Sequence, residues 1–322
     1  MFFTLCMGTV KIPVNETLNV LRAHLGGQEL TREFALSSTN QIIWKLRLPR
    51  VLLGFAVGCG LALCGAVMQA IVQNPMAEPY ILGISSGATL GATSAIFCGL
   101  SPFLSLFSFS GAALACFAVL SLASTGGKAT STKLILSGMV INALFTAFSN
   151  FIISVAGDSD GIMSIKFWTM GSITRASWEN ILLPILLVAA GVVFYCTQYR
   201  TLNTMLLGDE AAVTLGVNIA KCRILYLVVL SALTGAMVSS CGTIGFIGLI
   251  IPHVSRALIG NDHRRLLPVC TLTGGIFLVW VDALARTLVE NSELPVGIFT
   301  ALLGAPFFVY ILVRRNYGFG GS

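Results

Sequence analysis

Uncharged apolar segments, separated by short polar turns, recur along the whole chain. The clearest one runs from Val51 to Val72 without a charged residue, and its length matches the roughly 20 apolar residues that cross a bilayer core as a helix. It ends at the turn from Asn74 to Pro79, where two prolines cannot both continue the helix. The next segment is rich in Gly, Ser and Ala, which allow helices to pack closely. The pattern predicts two packed membrane helices joined by a polar turn at one membrane face.

The same pattern predicts an all-α, polytopic membrane protein with about ten transmembrane helices. Residues 1–10 are apolar but too short to span, so they are interpreted as the outer half of an incomplete first helix and not as a signal peptide. Residues 14–46 are mixed, with an amphipathic piece around 16–25, and are expected along the outer surface. Residues 157–180 are expected to form an outer loop and 199–223 a long cytoplasmic loop. The other predicted helices cover residues 48–73, 80–99, 103–123, 134–156, 181–198, 224–241, 242–260, 269–289 and 296–313.

Composition places the chain in a membrane, as one domain over residues 1–322. The 322 residues are 56% hydrophobic and 10% charged, whereas a soluble domain carries about 25% charged residues. The 33 glycines suit closely packed helices, and no alternating pattern indicates an outer-membrane barrel. Lys and Arg are divided almost evenly between the two predicted faces. The positive-inside rule therefore favours only slightly the topology with both ends in the cytoplasm.

The nine cysteines and three histidines form neither a metal-binding nor a disulfide pattern. Most of the cysteines lie in or beside apolar runs, where a free thiol behaves as a small hydrophobic group. No CxxC pair is present, and no histidine has the spacing of a metal ligand. We therefore expect no metal site and no cofactor.

Motifs for nucleotide hydrolysis and for common catalytic sites are absent from the sequence. It has no GxxxxGK[ST] phosphate-binding loop, no GxSxG and no HExxH. Asp282 is the only carboxylate deep in a predicted span, and Arg286 lies one helical turn further on, where the two side chains can pair. A transporter driven by an ion gradient needs intramembrane groups that load and unload. The sequence therefore indicates a pathway whose energy comes from a partner.

Two other classes of function remain as alternatives. A self-powered secondary transporter of a small or chelated solute is disfavoured because the predicted spans hold no unpaired carboxylate. An intramembrane enzyme is disfavoured because the chain shows no nucleophile or metal constellation.

Five segments of the chain, in order, carry a resemblance to a known family. They are RLPR at 47–50, GAVMQAIVQNPMAEPYILGISSGA at 65–88, GTIGFIGLIIPHVSR at 242–256, DHRRLLP at 262–268 and ELPVGIFTALLGAPFF at 293–308. These segments resemble the FecCD family, the permease subunits of ABC importers for iron–siderophores, haem and vitamin B12. The resemblance implies the ABC type II importer permease fold and a homodimer around a central pathway. It also implies a cytoplasmic ABC ATPase dimer and an extracytoplasmic substrate-binding protein as partners, and it does not name the cargo.

The resemblance assigns three arginines to docking of the binding protein. Arg47 and Arg50 in RLPR, and Arg286 in DALARTLVENSELP, match the outer arginines that meet glutamates on the two lobes of that partner. The planar guanidinium suits bidentate contact with a carboxylate. The alternative is that these side chains only extend from apolar positions to the membrane interface, and Arg286 has Asp282 as a competing partner.

The resemblance also implies a gate at the cytoplasmic mouth of the pathway. Asn74 and Met76 in the NPMAEP turn, and Ser131 and Thr132 in ATSTK, match positions that narrow this mouth in the family's vitamin B12 permeases. Small polar and flexible side chains at a constriction can close it without binding cargo tightly. The alternative for the NPMAEP turn is a capped turn with no part in gating.

Residues 207–218, LGDEAAVTLGVN, resemble the coupling helices that fit a groove on the ATPase. Within the longer loop 199–223, two short helices joined by a bend are expected, with a carboxylate pair at a helix start and glycines at the bend. An ordinary surface loop is the alternative. The residues assigned to this contact are Leu207, Gly208, Asp209, Glu210, Ala211, Ala212 and Gly216.

The sequence therefore predicts a multi-pass permease of a bacterial or archaeal cytoplasmic membrane, in contact with lipid and without a nucleic-acid partner. It would import a metal chelate, with an iron–siderophore as the favoured cargo and haem or cobalamin as the others. The chain itself would not be an enzyme, because a separate chain would hydrolyse ATP.

Overall fold

The computed structural model describes residues 1–8, 10–26, 31–125, 127, 129–156, 159–289 and 293–314, and every regular element in these ranges is helical. An all-α fold is confirmed. The helices are α1 Phe2–Cys6, α2 Val14–Leu25, α3 Arg32–Leu36, α4 Ser38–Asn40, α5 Leu48–Val72, α6 Ile84–Phe97, α7 Leu104–Ser124, α8 Ser131–Ala156, α9 Ser159–Thr169, α10 Leu182–Thr197, α11 Tyr199–Met205, α12 Asp209–Thr214, α13 Ile219–Cys241, α14 Ile247–Ile259, α15 His263–Ala285 and α16 Val296–Arg314.

Helix α5 is the central element of the bundle. A π-helical stretch, Gln41–Arg47, joins it directly to α4, and the best apolar window of the continuous helix Ser38–Val72 is 89% buried. Helices α10, α13, α14 and α15 pack around it. A side chain is excluded where α14 crosses, because a Cβ on Gly65 would lie 2.0 Å from the carbonyl oxygen of Gly248. The small residues of the sequence therefore do allow backbone-to-backbone packing.

Five helices of the described chain are long and apolar enough to cross a membrane: Ser38–Val72, Ser101–Ser124, Ser131–Ala156, Ile219–Cys241 and His263–Ala285. A sixth span results if Leu182–Thr197 and Tyr199–Met205, which meet at 65°, count as one. Helices α14 and α16 are shorter apolar helices. The expected number of about ten spans is not confirmed.

Several predicted boundaries were wrong, and the backbone explains the largest difference. The helix expected at 80–99 is divided at Gly83, where φ is +68°, into a 3₁₀ turn, Pro79–Leu82, and α6. The outer loop expected at 157–180 contains α9, although residues 157–158 lie outside the described chain. The helix expected at 242–260 begins only at Ile247.

The remaining differences concern where helices begin. Helix α13 starts at Ile219 instead of residue 224, because Asn218 caps it by accepting a hydrogen bond from the backbone nitrogen of Lys221 at 3.2 Å. Helix α15 starts at His263 instead of 269, with Asp262 as its cap. The amphipathic piece predicted around residues 16–25 is confirmed as α2.

Candidate functional site

Helix α8 is the least buried of the possible spans, with 17% of its best apolar window buried compared with 89% for the helix that contains α5. One face packs against α6, α7 and the 3₁₀ turn Pro79–Leu82. Gly138 sets this contact, because a Cβ there would lie 1.8 Å from the carbonyl oxygen of Ile81. The opposite face is exposed and carries a polar stripe at helical spacing: Asn142, Thr146 and Asn150.

This stripe is unsuited to contact with lipid. None of its three side chains makes a hydrogen bond to another described residue, and hydrocarbon offers no partner in its place. Burying an unpaired amide or hydroxyl in an apolar medium costs several kcal/mol. The stripe is therefore better suited to water or to a partner than to lipid. Sequence reasoning did not identify these residues, although their i, i+4, i+8 spacing in an apolar helix is a visible signal.

The four predicted gate residues lie at one end of α8. Asn74 and Met76 form a tight turn after α5, in which the Asn74 side-chain oxygen accepts from the backbone nitrogen of Met76 at 2.9 Å. Ser131 and Thr132 are the first two residues of α8. The two segments approach each other, since carbonyl oxygens just before each of them contact the same guanidinium group, that of Arg223. The geometry is compatible with gating, which stays a prediction.

The segment after this turn, Glu78 to Tyr80, packs against the residues that lead into α14. The carboxylate of Glu78 accepts a hydrogen bond from the backbone nitrogen of Phe246 at 2.7 Å, next to the start of α14. The Tyr80 hydroxyl donates to the carbonyl oxygen of Ile244 at 3.0 Å and accepts from the backbone nitrogen of Ile244 at 3.2 Å. Pro79 lies against the site of closest approach between α14 and α5. The segment therefore re-enters the bundle, and Glu78 is a carboxylate inside it that sequence reasoning missed.

Two of the three predicted docking arginines belong to a buried ionic cluster at the opposite end of α5. Arg50 donates from Nε to Asp282 at 2.9 Å and from Nη1 to Glu293 at 2.6 Å. Nε of Arg286 lies 3.1 Å from the second oxygen of Asp282, so the expected i, i+4 pair is confirmed. Arg50, Asp282 and Arg286 are 7%, 1% and 2% exposed. This part of the site is therefore closed and internally paired.

Arg47 differs from the other two because it has no carboxylate partner among the described residues. Its terminal nitrogens donate to the carbonyl oxygens of Leu5 and Val10 in the N-terminal segment. The two carboxylates of this region, those of Asp282 and Glu293, thus pair with Arg50 and Arg286 and leave the charge of Arg47 unpaired in the described part of the chain. The surplus positive charge borders a cavity of about 350 Å³ that all three arginines line. This cavity is suited to an acidic side chain.

The predicted cytoplasmic loop 199–223 contains two short helices with a bend, as expected, and its part before α13, residues 199–218, is named the coupling segment. Helices α11 and α12 are separated by Gly208, whose φ is +100°, and α12 is closed by Gly216, whose φ is +85°. Asp209 and Glu210 begin α12, and Ala211 and Ala212 follow within it. The segment also presents apolar side chains outside any possible span: Leu206, Leu207, Val213 and Leu215, at 39%, 65%, 59% and 65% exposure.

Two side-chain networks hold this segment in place, and sequence reasoning missed both. Asn203 of α11 accepts from the backbone nitrogen of His263 at 2.9 Å and donates to Asp262 at 2.7 Å. Asp209 receives two hydrogen bonds from Arg223, at 2.8 and 3.1 Å. The Arg223 guanidinium holds the pKa of this carboxyl below its usual value. The coupling segment is therefore anchored to α13 and α15.

The nine cysteines are free thiols. Within the described ranges, no group of three or more His, Cys, Asp or Glu side chains could hold a metal ion. These elements thus offer a polar stripe on α8 and a cationic cavity beside Arg47, Arg50 and Arg286.

Comparison with known proteins shows the family to which the chain belongs. The chain is 42% identical over 291 residues to the cobalamin import system permease protein of Halobacterium salinarum, covering 88% of this chain and 77% of that one. It is 40% identical over 306 residues to the hemin transport system permease protein of Yersinia pestis, covering 91% of each chain. A solved structure of a metal-chelate type ABC transporter in an inward-facing conformation superimposes with a TM-score of 0.78 at 35% identity, covering 94% of this chain and 98% of that one. Since the family model also matches residues 1–314, the chain belongs to the FecCD transport family.

Proposed function

We propose that two copies of this chain form the membrane pathway of a binding-protein-dependent ABC importer that brings a metal chelate into the cytoplasm. The observation that carries the proposal is the polar stripe of Asn142, Thr146 and Asn150 on the exposed face of α8. Two such faces, one from each copy, would enclose a path of amides and hydroxyls. An iron–siderophore is the cargo we favour, and cobalamin and hemin, for which two relatives are named, are the other candidates.

The two ends of the path would meet different partners. The 25 residues of α5 separate the arginine cluster from the coupling segment by about 37 Å. At the Leu48 end, a carboxylate of the extracytoplasmic binding protein would enter the cavity beside Arg47 and take the place of its carbonyl partners. At the Val72 end, the exposed apolar side chains of α11 and α12 would seat on a cytoplasmic ABC ATPase dimer. With these partners, the protein would lie in a bacterial or archaeal cytoplasmic membrane.

Transport would then need no covalent chemistry in this chain. ATP binding and hydrolysis in the partner would move the coupling segment between two positions, and rigid-body shifts would open or close the gate formed by Asn74, Met76, Ser131 and Thr132. Weakly attractive side chains along α8 would let a bulky chelate pass without being held. The chain is in this sense a transport subunit and not an enzyme.

Reconstitution tests the proposal. The chain is placed in proteoliposomes with its ATPase and binding protein, and uptake of ferric hydroxamate, hemin and cobalamin is measured separately. We expect ATP-dependent uptake of one of them, with ferric hydroxamate the expected cargo. An ATPase-inactive partner should abolish this uptake, and ionophores that collapse proton and sodium gradients should leave it unchanged. Uptake that follows the gradients and ignores ATP would overturn the proposal, as would recovery of chemically altered cargo.

Glu78 provides a sharper test against the secondary-transporter alternative. A gradient-driven mechanism needs a carboxylate that loads and releases a proton or cation. Asp282 is bound to two guanidiniums, so Glu78 is the better candidate. Glu78→Gln keeps an oxygen to accept from the backbone nitrogen of Phe246 but cannot titrate. ATP-driven uptake should survive this substitution, whereas a proton-coupled transporter would lose it.

A further inference from the structure

Arg223 lies in the second turn of α13 and is buried, with 3% of its surface exposed. Its two terminal nitrogens bind the carboxylate of Asp209, the carbonyl oxygen of Ala129 at 2.9 Å and the carbonyl oxygen of Ile71 at 3.3 Å. A single guanidinium therefore joins α13 to α12, to the last turn of α5 and to the segment that leads into α8.

The partners of Arg223 belong to the segments that a coupled importer must connect. Asp209 is the first residue of α12, in the proposed ATPase contact. Ile71 precedes the gate turn after α5, and Ala129 precedes the start of α8. Gln73 adds a parallel connection, since its Nε2 donates to Asp209 at 2.8 Å and to the carbonyl oxygen of Met205 at 3.0 Å. The coupling segment and both gate segments thus meet around Arg223.

Charge makes this connection difficult to break. A buried cation that loses its counter-charge is strongly destabilised. Asp209 is the only carboxylate in the described chain within salt-bridge distance of Arg223, and its own side chain is 43% exposed. If α12 moves with the ATPase, the guanidinium must follow the carboxylate or remain unpaired. Following it pulls on the two carbonyl oxygens that Arg223 holds.

If Arg223 only stabilised α12, it would need fewer hydrogen bonds than it makes in the structure. The bidentate contact with Asp209 alone would fix α12 on α13. The two additional hydrogen bonds go to the carbonyl oxygens of Ala129 and Ile71, which lie outside α12 and α13. Of these, the Ile71 carbonyl lies in the last turn of α5, where the helix leaves carbonyl oxygens without partners. Arg223 is thus placed to sense both gate segments.

We infer that Arg223 is a positioning residue that transmits movement of α12 to the two gate segments, residues 71–76 and 129–132. The inference rests on the proposed function, because it requires an ATPase that moves α12. It assigns Arg223 no contact with cargo or nucleotide.

The first test compares Arg223→Met with Lys221→Met, which removes an exposed cation from the same region of α13. Cargo imported per ATP hydrolysed is measured in the reconstituted importer, with the member of the ferric hydroxamate, hemin and cobalamin panel that the wild type imports. We expect Arg223→Met to lower this ratio about tenfold or more, within the usual range of coupling between sites, while ATP hydrolysis continues. Lys221→Met should match the wild type.

A second test separates transmission from simple stabilisation. The exchange Asp209→Arg with Arg223→Asp restores an ion pair but places an acceptor where the carbonyl oxygens of Ile71 and Ala129 need a donor. We expect the importer to assemble and hydrolyse ATP while uptake remains uncoupled. Restored uptake in the exchange variant would show that the ion pair alone matters and would overturn the inference. Arg223→Lys, which keeps the charge, replaces the Met variant if the latter is not recovered from the membrane.

The outcomes also distinguish this inference from the proposed function. A wild type without ATP-dependent uptake would overturn the proposed function itself. A wild type with such uptake, together with an Arg223→Met or Arg223→Lys variant of unchanged import per ATP, would overturn only the role of Arg223.

Discussion

Asp282 is the buried carboxylate shared by Arg50 and Arg286, and Asp282→Asn tests its contribution to stability. This carboxylate is 1% exposed and neutralises two guanidiniums at once, those of Arg50 at 2.9 Å and Arg286 at 3.1 Å. An amide of the same shape removes the charge and turns a donor toward one of the cations. The buried cluster would then hold two arginines, Arg50 and Arg286, against the single carboxylate of Glu293.

The expected loss of stability follows from the burial of the Asp282 carboxylate. Removing one partner of a buried ion pair costs about 3–5 kcal/mol, because the remaining charge stays in a medium of low dielectric. Glu293→Gln is the matched control, since it also removes a carboxylate from Arg50. Its side chain is 41% exposed, so its cost should stay near the 1 kcal/mol or less that is typical of solvent-exposed pairs. Charge balance further predicts that adding Arg286→Met to Asp282→Asn recovers part of the loss.

Thermal unfolding in detergent, followed by size-exclusion chromatography of the heated samples, measures these differences. Asp282→Asn should lower the Tm by about 10 °C, Glu293→Gln by much less, and the double variant by an intermediate amount. Equal Tm values for Asp282→Asn and Glu293→Gln would refute the reasoning, because burial would then not determine the cost. If the double variant loses as much Tm as Asp282→Asn and Arg286→Met lose separately and added together, the argument from charge balance is refuted.

Four further predictions concern the other parts of the molecule. Gly138→Ala should destabilise the protein by about 1–3 kcal/mol, since its Cβ would meet the Ile81 carbonyl oxygen at 1.8 Å; Gly235→Ala, whose Cβ would have 3.4 Å of room, should be neutral in the same Tm assay. Gly216→Val, at φ +85°, should uncouple ATP hydrolysis from uptake without preventing assembly. Gly216→Asn should retain coupling, because Asn tolerates this conformation. Equal uptake per ATP in the two variants would contradict the coupling role of Gly216. Arg47→Gln should weaken binding-protein docking in a salt-dependent way, and unchanged affinity at low salt would exclude the cavity as the docking site. The pKa of Asp209 is depressed in the folded state, so its stabilising contribution to folding is complete above the unfolded pKa of about 3.9 and is lost as the pH falls through the folded pKa. The mobility of a spin label at Val213 should therefore be constant from pH 8 to pH 5. A change in that interval would contradict the pairing of Asp209 with Arg223.

Helix α5 shows why much of the fold was readable from the sequence. A long charge-free segment followed by a proline turn is typical of a membrane helix that ends at the turn. The predicted helix 48–73 matches Leu48–Val72. The two short helices of the coupling segment were equally accessible, because Gly208 and Gly216 supply the positive φ that ends each turn. Local residue types determine these features, so one sequence is enough to find them.

The features that the sequence did not reveal depend on contacts across the bundle. Glu78 looked like part of a surface turn, and only its bond to the backbone of Phe246 shows that the segment re-enters the protein. The face of α8 that carries Asn142 is exposed because Gly138 turns the other face toward Ile81. The partners of Arg223 include two carbonyl oxygens, which every residue possesses and which therefore leave no trace in the residue pattern.

This last property has an evolutionary consequence. Because Arg223 holds Ile71 and Ala129 through main-chain oxygens, the connection places no demand on which side chains stand at those two positions. Residues near the mouth of the path can then diverge between lineages, to suit cobalamin in one relative and hemin in another. Under the role inferred for Arg223, we expect the cation and its carboxylate partner to be inherited together. A chain built in this way could change its cargo preference and keep the same linkage to its ATPase.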